Sequence, residues 1–100
     1  MFFIVLAADR AGALALRLEH RQRHLDYWLA QGAAVKIAGA MLDGDSPEAS
    51  PKGSSFLLEA RDELAVRALL AADPFTIEGV FTGDFIVQPV RPAIGEWRGD

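Results

Sequence analysis

Residues 2–8 are apolar at every position, and the run ends at Asp9-Arg10-Ala11-Gly12. A run this short and this rich in Phe, Ile and Val suits a β-strand covered on both faces. Any fold containing it must therefore supply cover twice, while 100 residues leave room for one domain. The remaining segments show where the first cover comes from. Helical periodicity spans residues 13–31, with Gly32 placed to stop it, and a second apolar segment covers 34–41, broken by Gly39. Residues 42–53 carry Asp-Gly-Asp and two Ser-Pro steps and read as a loop. A third strand is expected at 54–60. A second helix follows at 64–72, opened by Arg61-Asp62-Glu63 and stopped by Pro74. A fourth strand is expected at 80–90, interrupted by Gly83-Asp84. The core thus occupies about residues 2–90, and an irregular tail, 91–100, carries Trp97, which could cap an apolar groove.

This order, βαββαβ, predicts an α+β fold: a ferredoxin-like four-stranded antiparallel sheet with two helices on one face. Strands 1 and 4 remain apolar on both alternating sets, Phe2, Ile4 and Leu6 against Phe3 and Val5, then Phe85 and Val87 against Ile86 and Val90. A face open to water would alternate with polar residues. The second face is therefore expected to pack on a copy of itself, giving a homodimer through the sheet. A core of this size is marginal alone, which points the same way.

The composition narrows function. The formal charge is −4 with both signs interspersed, which leaves no basic stripe for nucleic acid. There is no cysteine, hence no disulfide, thiolate metal site or Cys nucleophile. The apolar amino-terminal run is too short to span a bilayer and lacks a positive flank, so neither a membrane segment nor a signal peptide is expected, and the default location is cytoplasmic. No nucleophile elbow, phosphate loop or dinucleotide fingerprint is present.

At about 100° per residue, Leu14, Leu18, Leu25, Trp28 and Leu29 fall in one arc of the first helix, expected to face the sheet. Arg21 lies inside that arc, and Arg17 and His24 flank it. A buried guanidinium needs a partner. One reading has Arg17, Arg21 and His24 lining a cleft that meets an anion; the other has the arginines reaching past the core to water. His20 and His24 stand four apart, as metal ligands can, but no third ligand has a recognisable spacing, and no metal or cofactor is expected. Asp73 precedes Pro74 at the end of the second helix, where the dipole disfavours a carboxylate. It can accept a local turn hydrogen bond, or it can orient His24 and strengthen it as a general base. Gly53-Ser54 opens the third strand, where glycine lets a ligand approach and a hydroxyl can bond it.

These residues resemble the YciI-like (YCII-related domain) family over about residues 2–90. The resemblance is carried by Arg17, Arg21, His24, Leu25 and Tyr27 in LRLEHRQRHLDYW, by Gly32, Ala38-Gly39 and Gly53-Ser54, and by Asp73-Pro74-Phe75 with Gly79. It implies a dimeric α+β barrel with a site built on a His and an Asp, matching His24 and Asp73. The family includes dehydrochlorinase chemistry on a chlorinated hydroxymuconate, which implies proton transfer on small acids. Ala40-Met41 and the loop at 42–52 depart from the family pattern and bear on pocket shape. The expected function is a cofactor-independent enzyme in which His24 and Asp73 move a proton on a small anionic organic substrate, held by Arg17, Arg21, Ser54 and Gly53. The alternative is a non-catalytic module that binds a small acid or a partner domain. A heme- or oxygen-handling role through His20 or His24 has no flanking pattern to support it.

Overall fold

The computed structural model describes residues 1–96; Trp97 and the groove-capping role expected of it lie outside them. The elements run β1 (Phe2–Asp9), α1 (Leu14–Leu29), a 3-10 turn (Gly32–Ala34), β2 (Val35–Leu42), β3 (Pro51–Glu59), α2 (Glu63–Ala72), α3 (Pro74–Ile77) and β4 (Phe81–Val90). All three strand ladders are antiparallel, in the order β2-β3-β1-β4. This is the ferredoxin-like arrangement expected from the element order.

Alternation along the strands sorts residues onto two faces. Phe3, Val5 and Ala7 of β1 and Phe56 and Leu58 of β3 are buried, packed with Trp28 of α1, Val66 and Leu70 of α2 and Phe75 of α3. The other set is bare in the single chain. Ile4 pairs across the sheet with Leu57, Leu57 with Ile37, and Leu6 with Ile86. Ile4, Ile37 and Ile86 are 42%, 69% and 59% exposed. Burial of β1 on both faces is therefore not reached within one chain.

Two boundaries differ from expectation for local reasons. α1 ends at Leu29, two residues early, and Gly32 with φ 59° opens the 3-10 turn instead of capping the helix directly. β3 begins at Pro51, inside the expected loop, because Met41 and Leu42 pair with Gly53 and Pro51. At the acidic start expected to suit the α2 dipole, Asp62 also caps the helix: its carboxylate accepts from the Ala65 N–H at 2.8 Å.

The larger correction concerns the face of α1. Leu14, Leu18 and Leu29, expected against the sheet, are 41%, 61% and 76% exposed, whereas Arg17, His24 and Trp28 are buried. The helix is turned by roughly a quarter of a revolution from the orientation its leucines suggest. Arg17 and His24 can occupy the buried face because other elements supply hydrogen-bonding partners for both.

Candidate active site

Asp73 is the fixed point. It stands between two helices, as the C-cap of α2 and the N-cap of α3, with Pro74 at the first position of α3. Its carboxylate is fully buried and accepts three N–H donors. Phe75 N–H donates to Oδ1 at 2.9 Å, and Trp28 Nε1–H donates to Oδ2 at 2.7 Å. His24 Nδ1 lies 2.9 Å from Oδ1 and 3.0 Å from Oδ2. The turn hydrogen bond and the pairing with His24, weighed above as alternatives, are both made. The dipole argument against a carboxylate here fails because a new helix starts at the next residue.

This geometry fixes the imidazole. An ionised carboxylate only accepts, so Nδ1 carries a proton, and the neutral form of the ring has its lone pair on Nε2. Nε2 bonds no described residue and is not among the buried unpartnered atoms, so it is open to solvent. The ring stacks on Phe75, with centroids 3.9 Å apart and planes 9° from parallel. Phe56 and Phe81 close around it at 6.5 Å and 6.2 Å.

Arg17 is held as firmly. Its Nε and Nη2 donate to Asp9 at 2.8 Å and 3.1 Å, Nη2 also donates to Ser54 Oγ at 2.8 Å, and the guanidinium lies 4.7 Å above the Phe75 ring. Asp9 thus neutralises the cation that was expected to meet a ligand; Nη1, unbonded to described residues and not buried, is the part left to do so. Asp9 went unnoticed in the sequence, yet it had a signal. It continues the inward series Phe3, Val5, Ala7, so alternation alone aims it at the helices. Trp28 was read as packing, and its N–H role had no signal beyond its position four residues after His24.

His24, Arg17, Arg21, Ser54 and Trp28 line one cavity of about 210 Å³, with Leu25 and residues 38–40 of the edge strand β2. Among the described residues nothing pairs with the exposed Arg21 guanidinium. Gly53 does not line this cavity. A Cβ there would fall 2.6 Å from the Ala7 carbonyl oxygen and 2.5 Å from Met41 Cε, so close strand packing accounts for the glycine. Ser54, its neighbour, does reach the cavity, and its hydroxyl proton is not spent on Arg17, from which the oxygen accepts. His20 sits apart. Arg23 lies 3.1 Å from its Nδ1 and Glu19 3.2 Å from its Nε2. The Tyr27 hydroxyl donates to Leu69 O at 2.7 Å, and burial, aided by the Asp73 charge, pushes the phenol above its ordinary range.

A family model, the YCII-related domain, matches residues 1–90. The chain belongs to the YCII-related domain family. Among solved structures, it is similar to 5-chloro-2-hydroxyhydroquinone dehydrochlorinase (TftG) from Burkholderia phenoliruptrix AC1100, solved in complex with 2,5-dihydroxybenzoquinone. That match has a TM-score of 0.85 and 27% identity over 93% of this chain and 96% of that one. The substrate in that name is a chlorinated hydroxyhydroquinone, not the hydroxymuconate expected above. More distant matches are At3g17210 from Arabidopsis thaliana, with a TM-score of 0.47 and 14% identity over 96% and 98% of the two chains, and a dimeric ferredoxin-like protein of unknown function from Jannaschia sp. CCS1. The latter gives a TM-score of 0.44 and 15% identity over 86% and 92%. No curated protein matches. No described helix is long and apolar enough to cross a membrane.

Proposed function

We propose that this chain is an enzyme that moves a proton on a small organic anion, in an elimination or an isomerisation, with His24 Nε2 as the base. The observation that carries the reading is the division of the imidazole: Nδ1 bound to a buried carboxylate, Nε2 open beside a small cavity that Arg21 and the Asp9-paired Arg17 help to line. The substrate gives a proton from a hydroxyl or an activated carbon to Nε2, and Asp73 stabilises the imidazolium that forms. The electron pair left behind moves into the conjugated system. Negative charge that builds on oxygen faces Arg21 and Arg17 Nη1, with Ser54 Oγ–H as a further donor. In an elimination the leaving group departs with its bonding pair; in an isomerisation the imidazolium returns the proton to another atom. A cavity of about 210 Å³ holds roughly seven waters' share of liquid volume, the size of one small ring. The relative's name supports the same class, since losing HCl from a hydroxylated ring needs a proton acceptor and a place for charge.

The assay is chloride release from 5-chloro-2-hydroxyhydroquinone, followed beside binding of 2,5-dihydroxybenzoquinone. His24→Gln, which can still donate to Asp73, is expected to lower turnover by about 10²–10⁴-fold. Turnover by that variant at the wild-type rate overturns the role of His24. Binding of the quinone without any chemical change in either ligand favours the non-catalytic module instead.

We also infer that two copies pack through the bare sheet face. The apolar groove there, about 480 Å³ and lined by Ile4, Ile37, Leu57, Val90 and Ile94 among others, supports this, as does the small size of the core.

A further inference from the structure

The Asp73 carboxylate serves two masters. One is the His24 ring; the other is the indole of Trp28, whose 2.7 Å bond to Oδ2 is the shortest of the three it accepts. Each N–H donated to a carboxylate draws on the same negative charge, and for a carboxylate as fully buried as Asp73 bulk solvent does not replace that share. The other groups around His24 are accounted for. Arg17 and Arg21 stand on α1 itself, Asp9 from β1 is committed to Arg17, and the rings that reach His24 from β3, α3 and β4 are phenylalanines.

We propose that Trp28 is a positioning residue that sets the proton affinity of His24: its N–H takes part of the Asp73 charge, so the carboxylate pulls less on the imidazole. The inference deepens the proposed role of His24 and rests on it for its catalytic meaning. Its physical content, however, belongs to the resting protein. A residue that merely packed would leave the titration of His24 alone when its N–H was removed.

The experiment is nitrogen-detected NMR of the His24 ring across pH, in wild type and in Trp28→Phe, with no ligand. Wild type is expected to show Nδ1–H and a bare Nε2 at high pH. In Trp28→Phe the pH at which His24 gains its second proton is expected to rise, on the order of one pH unit, as befits the loss of one charge-assisted hydrogen bond. Replacing Trp28 by benzothienylalanine, which keeps the bicyclic shape and lacks the N–H, should give the same rise with the packing intact, and it decides the matter if Phe does not fold. An unchanged or lowered midpoint in the folded isostere overturns the proposal, as does an Nε2–H tautomer in wild type. If the midpoint rises but His24→Gln still turns over substrate at the wild-type rate, the tuning stands and the catalytic reading of His24 fails.

Discussion

Asp73 has two oxygens and three N–H donors, and its side chain is fully buried. Asparagine at this position offers one acceptor oxygen and turns an NH₂ toward donors. Asp73→Asn is therefore expected to destabilise the fold by about 3 kcal/mol, measured by denaturant unfolding at neutral pH, although it changes no shape. If Asp73→Asn unfolds at the wild-type midpoint, the donors have other outlets and the fixed tautomer of His24 is wrong. At this scale the sequence made the His24–Asp73 pairing legible. A histidine beside two arginines lacked a purely local reason; Asp73 drew notice through a helix-dipole argument that the structure removes, since the carboxylate caps α3 locally as well as pairing with His24. Asp9 and Trp28 were missed for different causes. Asp9 was readable from strand alternation but looked like the end of an apolar run. Trp28 was hidden because an indole satisfies the core and the carboxylate at once.

Among the elements, α1 shows where periodicity misleads. Counting leucines orients the helix by apolar area, about 25 cal/mol per Å². Leaving a guanidinium and an imidazole inside without partners would cost more than a leucine gains, but Asp9, Ser54 and Asp73 remove that cost, and the leucines are left outside. No pattern within α1 could report partners located on β1, on β3 and at the junction of α2 and α3. Strand packing gives a direct test. Gly53→Ala places a methyl against the Ala7 carbonyl, a backbone atom with little freedom. It is expected to cost about 1–3 kcal/mol, whereas Gly39→Ala, with nothing within 4 Å and no positive φ, should leave unfolding midpoints within error. Helix capping gives another. The Ala65 N–H, the largest cause, holds the exposed Asp62 carboxyl below its ordinary value. A group lowered in the folded state stabilises it above the unfolded value and stops doing so as pH falls through the folded value. Melting temperatures of wild type and Asp62→Ala should therefore differ most near neutrality and converge in acid. A gap that is constant with pH would mean that the cap does not depend on the carboxylate charge.

For the whole molecule, the element order and the two-sided apolar strands were enough to predict a ferredoxin-like sheet, because four short segments and two helices of these lengths have few ways to cover one face. What lies on the other face is a question about a second chain. Ile86→Asp, on a residue 59% exposed in the single chain, tests the inferred dimer. Sedimentation should show dimer for wild type and monomer for the variant, with secondary structure retained. A wild-type chain that sediments as a monomer at micromolar concentration removes the need for that face to be covered.

His24 and Asp73 are 49 positions apart in the chain, yet the hollow beside them has walls from α1, β2 and β3 together. Whatever small molecule settles there must tie those segments to one another, and the unfolded polypeptide offers it nothing comparable. Occupancy at a hundred times the dissociation constant would add about 2.7 kcal/mol to the folded state. A melting-curve screen across hydroxylated quinones, phenols and enolic acids could thus rank candidates before turnover of each is measured.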